Sequence, residues 1–286
     1  MHIRKKICRE DYPKALFDIP YSEVSHSCLL DLYKPEGEGP FPLIVSIHGG
    51  AFKKCDKEDE EMILDMLHGL ERGYAVAGVN YRLSGEAQFP EPVKDIKEAI
   101  LFLKSHADEY DIDPERIVTW GGSAGGYFSL MAGLIDCYQE FDPARKYEVS
   151  SQVQGVVAQF PPVDFTKMDG YLKDSGLLRH YPDHDEADSP ESLFIGAGIK
   201  EHPDKVQKAN PENYIHAKMC PMLIQHGRAD HIVPYQGSQH FADLVNQMRP
   251  GRATYEIFET ADHGDPQFST EKNVSHVLDF IDALLK

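Results

Sequence analysis

The stretch Ile117-Val118-Thr119-Trp120-Gly121-Gly122-Ser123-Ala124-Gly125 decides how this chain folds. An apolar run reads as a strand, G-x-S-x-G follows at once, and Ala124 to Ile135 continue as a helix. A strand that turns this sharply into a helix pushes the serine oxygen outward. Glycine on each flank permits the turn, because a Cβ there collides with neighbouring backbone. The pattern is common, and a Gly/Ser turn without chemistry accounts for it when it stands alone. Here it does not stand alone, because His48-Gly49-Gly50-Ala51-Phe52 lies upstream.

Working outward, apolar runs alternate with amphipathic stretches, which predicts a mostly parallel central sheet with helices on both faces. Leu29 to Tyr33, Pro42 to Ile47, Tyr74 to Val79, Val153 to Phe160, Pro221 to Gln225 and Thr254 to Phe258 read as strands. A helix over about 58–72 places Met62, Ile63, Met66, Leu67 and Leu70 on one face and ends at Gly73. Val93, Ile96, Ile100 and Leu103 mark a second helix, and Asp113 to Arg116 read as a turn or short helical start. Helices are also predicted over Gln236 to Met248 and Lys272 to Leu285. No internal repeat or linker divides residues 1–286, so a single domain is expected. Residues 161–218 are poor in periodicity, and a loop that long inside a domain reads as a lid or cap insertion.

Of the 286 residues, 41% are hydrophobic, enough for a large core, yet no run approaches the roughly 20 apolar residues that span a bilayer. The basic start meets no apolar stretch, so no signal peptide is expected. Five scattered cysteines form no C-x-x-C pair, which predicts reduced thiols and a cytoplasmic setting. A net charge of −18 argues against nucleic acid and polyanionic substrates. The tract His180 to Asp185 lacks a partner cluster, so no metal and no cofactor is expected.

A serine hydroxyl becomes a nucleophile only when a base takes its proton and an acid orients that base. In a strand–elbow–helix setting the partners follow in the order Ser, Asp or Glu, His. Asp230, in His226-Gly227-Arg228-Ala229-Asp230, and His263, in Ala261-Asp262-His263-Gly264, follow predicted strands in that order. Asp164, after an earlier strand, is the rival acid. His48, His226 and His231 read as loop braces, and Asn80-Tyr81-Arg82 as a structural strand end.

From about Leu29 onward, the H-G-G segment, Asn80 to Leu83, the elbow and the acid and histidine motifs together resemble an α/β-hydrolase of the esterase/lipase group. Hormone-sensitive-lipase-like enzymes and bacterial feruloyl- or acetyl-esterase-like enzymes are the nearest likeness. The resemblance implies Ser123 as nucleophile, Asp230 as orienting acid and His263 as general base. It also implies an oxyanion hole built from the backbone N–H groups of Gly50, Ala51 and Ala124. Two positions depart from the family pattern: Ala51 and Cys55 stand where glycine is frequent. Alanine keeps the N–H but is strained if φ is positive there.

These readings converge on a serine carboxylesterase for short acyl esters, with acetyl or feruloyl groups on carbohydrates implied by the resemblance. Its partner is then a small-molecule ester, an acylated oligosaccharide among the candidates, and not a membrane. Tyr171, His180, Tyr181 and Phe194, in the insertion, are the candidate substrate contacts. The same triad serves amide hydrolysis, so a peptidase, amidase or arylformamidase remains open. A small-molecule receptor on a hydrolase fold is the alternative of a different class.

Overall fold

In a computed structural model, which describes residues 4–177 and 183–286, the apolar runs pair into one eight-stranded sheet. Its strands are β1 (Leu16–Pro20), β2 (Leu29–Tyr33), β3 (Phe41–Ile47), β4 (Ala75–Val79), β5 (Ile112–Gly122), β6 (Gly155–Gln159), β7 (Met222–Gly227) and β8 (Ala253–Phe258). They lie in the order β1-β2-β4-β3-β5-β6-β7-β8. β2 runs antiparallel to both β1 and β4, and every later pairing is parallel. Strands β3, β4, β6 and β7 are buried at every residue, as expected of a parallel sheet covered on both faces.

The helices are α1 (Glu60–Leu67), α2 (Glu91–Ser105), α3 (Ala107–Tyr110), α4 (Ala124–Leu134), α5 (Met168–Asp174), α6 (Pro190–Ile195), α7 (Pro203–Ala209), α8 (Tyr235–Met248) and α9 (Glu271–Leu285). Strand side chains alternate between two cores, since successive Cβ atoms point to opposite faces. Leu43, Val45 and Ile47 join α2, α4 and α8, whereas Ile44, Val118 and Trp120 join α1 and α9. Among the described residues, no helix is long and apolar enough to cross a membrane.

Three local expectations change. Asp113 to Arg116 continue β5 rather than turning, because Phe41 pairs with Ile112 and extends the ladder. Edge strand β1 escapes notice because its residues are half or fully exposed and carry little apolar pattern. The helix over 58–72 is α-helical only to Leu67; His68–Arg72 tighten to a 3₁₀ turn before Gly73, at φ 84°.

Residues 161–218 hold α5, α6, α7 and a 3₁₀ turn, Pro211–Tyr214. Phe165, Phe194, Val206 and Ala209 belong to the same core as α4, and the Tyr127 hydroxyl donates to the Ala209 carbonyl at 2.8 Å. Aperiodic sequence here conceals short helices that bury single large side chains.

Candidate active site

Ser123 sits between β5 and α4 at φ 56° and ψ −125°, a conformation few non-glycine residues adopt. Close packing enforces the flanking glycines. A Cβ on Gly125 would lie 2.0 Å from the Ile47 carbonyl oxygen, and one on Gly121 would lie 2.5 Å from the Gly125 backbone. The Ser123 N–H donates to Gln159 O at 2.9 Å, and the Tyr127 N–H donates to Ser123 O at 3.0 Å. The hydroxyl is thereby held at the carboxyl end of the sheet, where ligands of open α/β folds gather.

Loops after β7 and β8 bring the other two members to it. His263 Nε2 lies 2.9 Å from Ser123 Oγ, and His263 Nδ1 lies 2.8 Å from Asp230 Oδ2. An ionised carboxylate only accepts, so Nδ1 carries the proton and Nε2 is left to accept from the serine. Asp230 is fully buried and well supplied with donors: Oδ1 accepts from the Ile232 and Val233 N–H groups at 2.9 and 2.8 Å. Burial works to raise its carboxyl, but attraction to His263 and hydrogen bonds from His226 and His263 hold it well below the usual carboxylate range.

Two supports of this geometry were not legible in the sequence. His226, read only as a loop brace, places Nε2 at 3.2 Å from Asp230 Oδ2 and 2.9 Å from Val233 O, with Ser238 Oγ 2.8 Å from Nδ1. Phe160 sets its ring edge-on to His263, with centroids 4.8 Å apart. His231 braces as expected, its Nδ1 2.7 Å from an Asp262 oxygen that also accepts the His263 N–H at 2.7 Å.

The rival acid is occupied elsewhere. Asp164 accepts from the Thr166 N–H and hydroxyl and from the Asn210 amide, and it pairs with Lys167 at 2.5 Å. Asn80-Tyr81-Arg82 is structural: Tyr81 stacks on His48 at 4.4 Å, and Arg82 grips Asp95 through Nε and a terminal nitrogen.

The H-G-G segment leaves β3 and runs past the serine. A Cβ on Gly49 would approach Gly122 O to 2.9 Å and Ser123 Cβ to 3.5 Å. Gly50, Ala51 and Phe52 then follow at φ 109°, 54° and 60°. Ala51 is therefore in the strained setting, at a cost of about 1–2 kcal/mol relative to an ordinary backbone conformation. Phe52 anchors the loop against that strain, stacking on Phe194 at 4.2 Å within a cluster that includes Tyr127, Phe128 and Phe165. Among the described residues, the N–H groups of Gly50, Ala51 and Ala124 have no hydrogen-bond acceptor. Cys55, at φ 80°, packs its sulfur against Gly50, and burial pushes its thiol above the ordinary range.

Of the candidate substrate contacts, Phe194 is corrected: its ring is fully buried in the aromatic cluster and serves packing. Tyr171 lies half-buried on α5, where its carbonyl accepts from Gln236 Nε2 at 3.3 Å. His180 and Tyr181 lie outside the described residues. Within the former His180 to Asp185 tract, His184 Nδ1 lies 2.8 Å from an Asp169 carboxylate oxygen. No group of three or more His, Cys, Asp or Glu side chains that could hold a metal occurs among the described residues.

Residues 30–245 match the BD-FAE family model. The chain belongs to the BD-FAE family. This BD-FAE chain is 29% identical over 241 residues to a probable carboxylic ester hydrolase, LipM, of Mycobacterium tuberculosis. The match covers 83% of the chain and 53% of LipM. The chain spans about half the length of the curated relatives it matches. Among solved structures, a truncated carbohydrate esterase from gut microbiota superposes with a TM-score of 0.86 at 27% identity, covering 98% of this chain and 99% of that one. A thermophilic esterase of Thermogutta terrifontis with butyrate bound shares the fold, with a TM-score of 0.74 at 24% identity over 96% of this chain and 95% of that one. The BD-FAE chain thus has the α/β-hydrolase fold.

Proposed function

We propose that this protein is a serine carboxylesterase acting on short acyl esters through an acyl-enzyme. The observation that carries the reading is the continuous chain from Ser123 through His263 to Asp230, at 2.9 and 2.8 Å, beside unpaired backbone donors. Ser123 Oγ attacks the ester carbonyl carbon while its proton passes to His263 Nε2. Asp230 keeps the imidazole in the right tautomer and stabilises the cation that forms. The N–H groups of Ala124, Gly50 and Ala51 receive the oxyanion, where charge appears only in the transition state. His263 then protonates the departing alcohol. Water, giving its proton to the same nitrogen, attacks the acyl carbon; the bond to Ser123 Oγ then breaks as His263 returns that proton to the oxygen, which releases the acid and restores free Ser123.

The names of the relatives support an ester over an amide, since LipM is described as a carboxylic ester hydrolase and the 0.86 superposition is with a carbohydrate esterase. We infer acetyl or feruloyl groups on carbohydrates as the substrate class; such esters suit a protein of charge −18 because the feruloyl and acetyl glycosides are neutral. Ser123→Ala is expected to lower kcat/KM for p-nitrophenyl acetate by about 10⁴-fold or more with the melting temperature retained. Retained turnover would sink the assignment.

A further inference from the structure

An acid that orients a base must itself be held by something other than that base. Asp230 Oδ1 is held by backbone: the Ile232 and Val233 N–H groups donate to it at 2.9 and 2.8 Å. Oδ2 faces two imidazoles, His263 Nδ1 at 2.8 Å and His226 Nε2 at 3.2 Å. The catalytic chain to Ser123 uses the first of these rings and passes by the second.

His226 is fully buried on β7, so its ring is carried by the sheet and not by a loop. The next residue brings the strand end against the loop that bears the base: a Cβ on Gly227 would lie 2.2 Å from the Ala261 carbonyl oxygen. Both ring nitrogens are occupied. Nδ1 lies 2.8 Å from Ser238 Oγ on α8, and Nε2 lies 2.9 Å from Val233 O. Val233 O and an ionised Asp230 oxygen only accept, so Nε2 carries a proton that the two share. The Ser238 hydroxyl can donate to Nδ1 or accept from it, so this assignment holds for the neutral and the charged ring alike. One N–H thereby grips the acid twice. It acts directly at Oδ2, and it acts through Val233, whose carbonyl it binds and whose own N–H holds Oδ1. Burial works to raise the Asp230 carboxyl, while attraction to His263 and hydrogen bonds from His226 and His263 hold it well below the usual range.

We propose that His226 is a positioning residue for catalysis: its Nε2–H fixes the Asp230 carboxylate in the orientation that aims His263 at Ser123, and it acts on the reaction only through those groups. The inference rests on the serine-esterase reading above and extends its hydrogen-bond chain by one buried side chain.

The test separates the roles of the two ring nitrogens. Glutamine places an amide N–H near the position of Nε2, whereas asparagine reaches only as far as Nδ1 and keeps the contact with Ser238. For wild type, His226→Gln and His226→Asn, three quantities are measured: kcat and KM for p-nitrophenyl acetate, the rate of labelling by a fluorophosphonate probe, and thermal melting. Acylation and deacylation both pass through His263, so His226→Asn is expected to lower kcat about tenfold or more, the scale of one hydrogen bond lost from a charged group. KM is expected to stay within about twofold, because both steps slow together. His226→Gln restores the donor and is expected to stay within about threefold of wild type, with labelling rates in the same order. Equal losses in the two variants, or no loss in either, overturn the proposal and leave His226 a structural residue. NMR of wild type with isotopically labelled histidine, assigned by the signal lost in His226→Gln, is expected to show a proton on His226 Nε2; a bare Nε2 overturns the proposal. Should His226→Asn fail to fold, that reading decides. Wild type that is labelled but cleaves no ester overturns the esterase reading alone, and the labelling rates then decide the role of His226. Wild type that is neither labelled nor active overturns both.

Discussion

Backbone strain in this molecule is concentrated where the candidate chemistry lies. Ala51, Phe52, Cys55, Ser123 and Phe160 all take positive φ, and only Asp18 and Asp111 do so elsewhere among the described non-glycine residues. Strained residues persist only where surrounding contacts over-determine them. At Phe52 that contact is a stacked ring, and at Phe160 a backbone hydrogen bond to Gln225 O at 2.7 Å. His48, at the start of the same loop, is buried against Tyr81 with Nδ1 2.8 Å from Gly49 O. Burial lowers its imidazole to about 4, while an unfolded histidine titrates near 6.5. Between these values the unfolded chain binds a proton that the native chain does not, so stability rises with pH across that window. The group contributes fully above about pH 6.5, and about 3 kcal/mol is lost on descending to pH 4. Urea unfolding at steps from pH 4 to 7.5 is expected to show this slope in wild type and a flatter one in His48→Asn. The Asp230 carboxylate, held below its ordinary range when folded, adds its own loss as the pH falls through the ordinary carboxylate range and continues it below.

At the scale of elements, the elbow is a packing solution in which β5, β3 and the start of α4 come closer than a side chain permits. The obstacle at Gly125 is backbone, the Ile47 carbonyl on β3, which cannot rotate away. Gly125→Ala is therefore expected to destabilise the protein by about 3 kcal/mol, the upper range for overpacking, and to abolish esterase turnover. Gly85→Ala, where no atom lies within 4 Å of the added Cβ, serves as the control and stays within about 0.5 kcal/mol. Denaturant midpoints of the two variants decide the matter. Helix α2 and the strand before Ser123 were legible because each repeats its own period within one short window. β1 and the first half of β5 were not: both owe their extended form to a neighbour, β2 for the one and Phe41 of β3 for the other.

Across the whole molecule the net charge is −18, yet a cation, Lys57, is buried at the antiparallel end of the sheet. Lys57 Nζ lies 3.0 Å from Asp31 of β2 and 2.9 Å from Asp18 of β1. Arg9 extends the cluster, pairing with Asp18 at 2.7 Å and Glu58 at 2.5 Å. The N-terminal segment, the sheet edge and the loop before α1 are thereby joined through one group. Lys57→Met leaves Asp31 buried without its cation, and a loss of about 3–5 kcal/mol is expected in chemical denaturation. Adding Asp31→Leu is expected to recover most of it, because the deficit lies in the uncompensated charge and not in lost packing.

The sequence by itself determined the parallel sheet, the elbow at Ser123 and the order of Ser123, Asp230 and His263. Each of these is written in local pattern: apolar period, glycine spacing, and short motifs at strand ends. Only tertiary structure decided which of two aspartates stands beside His263, and that Phe194 packs a loop rather than lining a pocket. The same holds for the contacts of His226 with Asp230 and of Phe160 with His263. The physical reason is distance along the chain. Ser123 and His263 are 140 residues apart and His263 and Asp230 are 33 apart, so their meeting depends on the strand order, which no local period encodes.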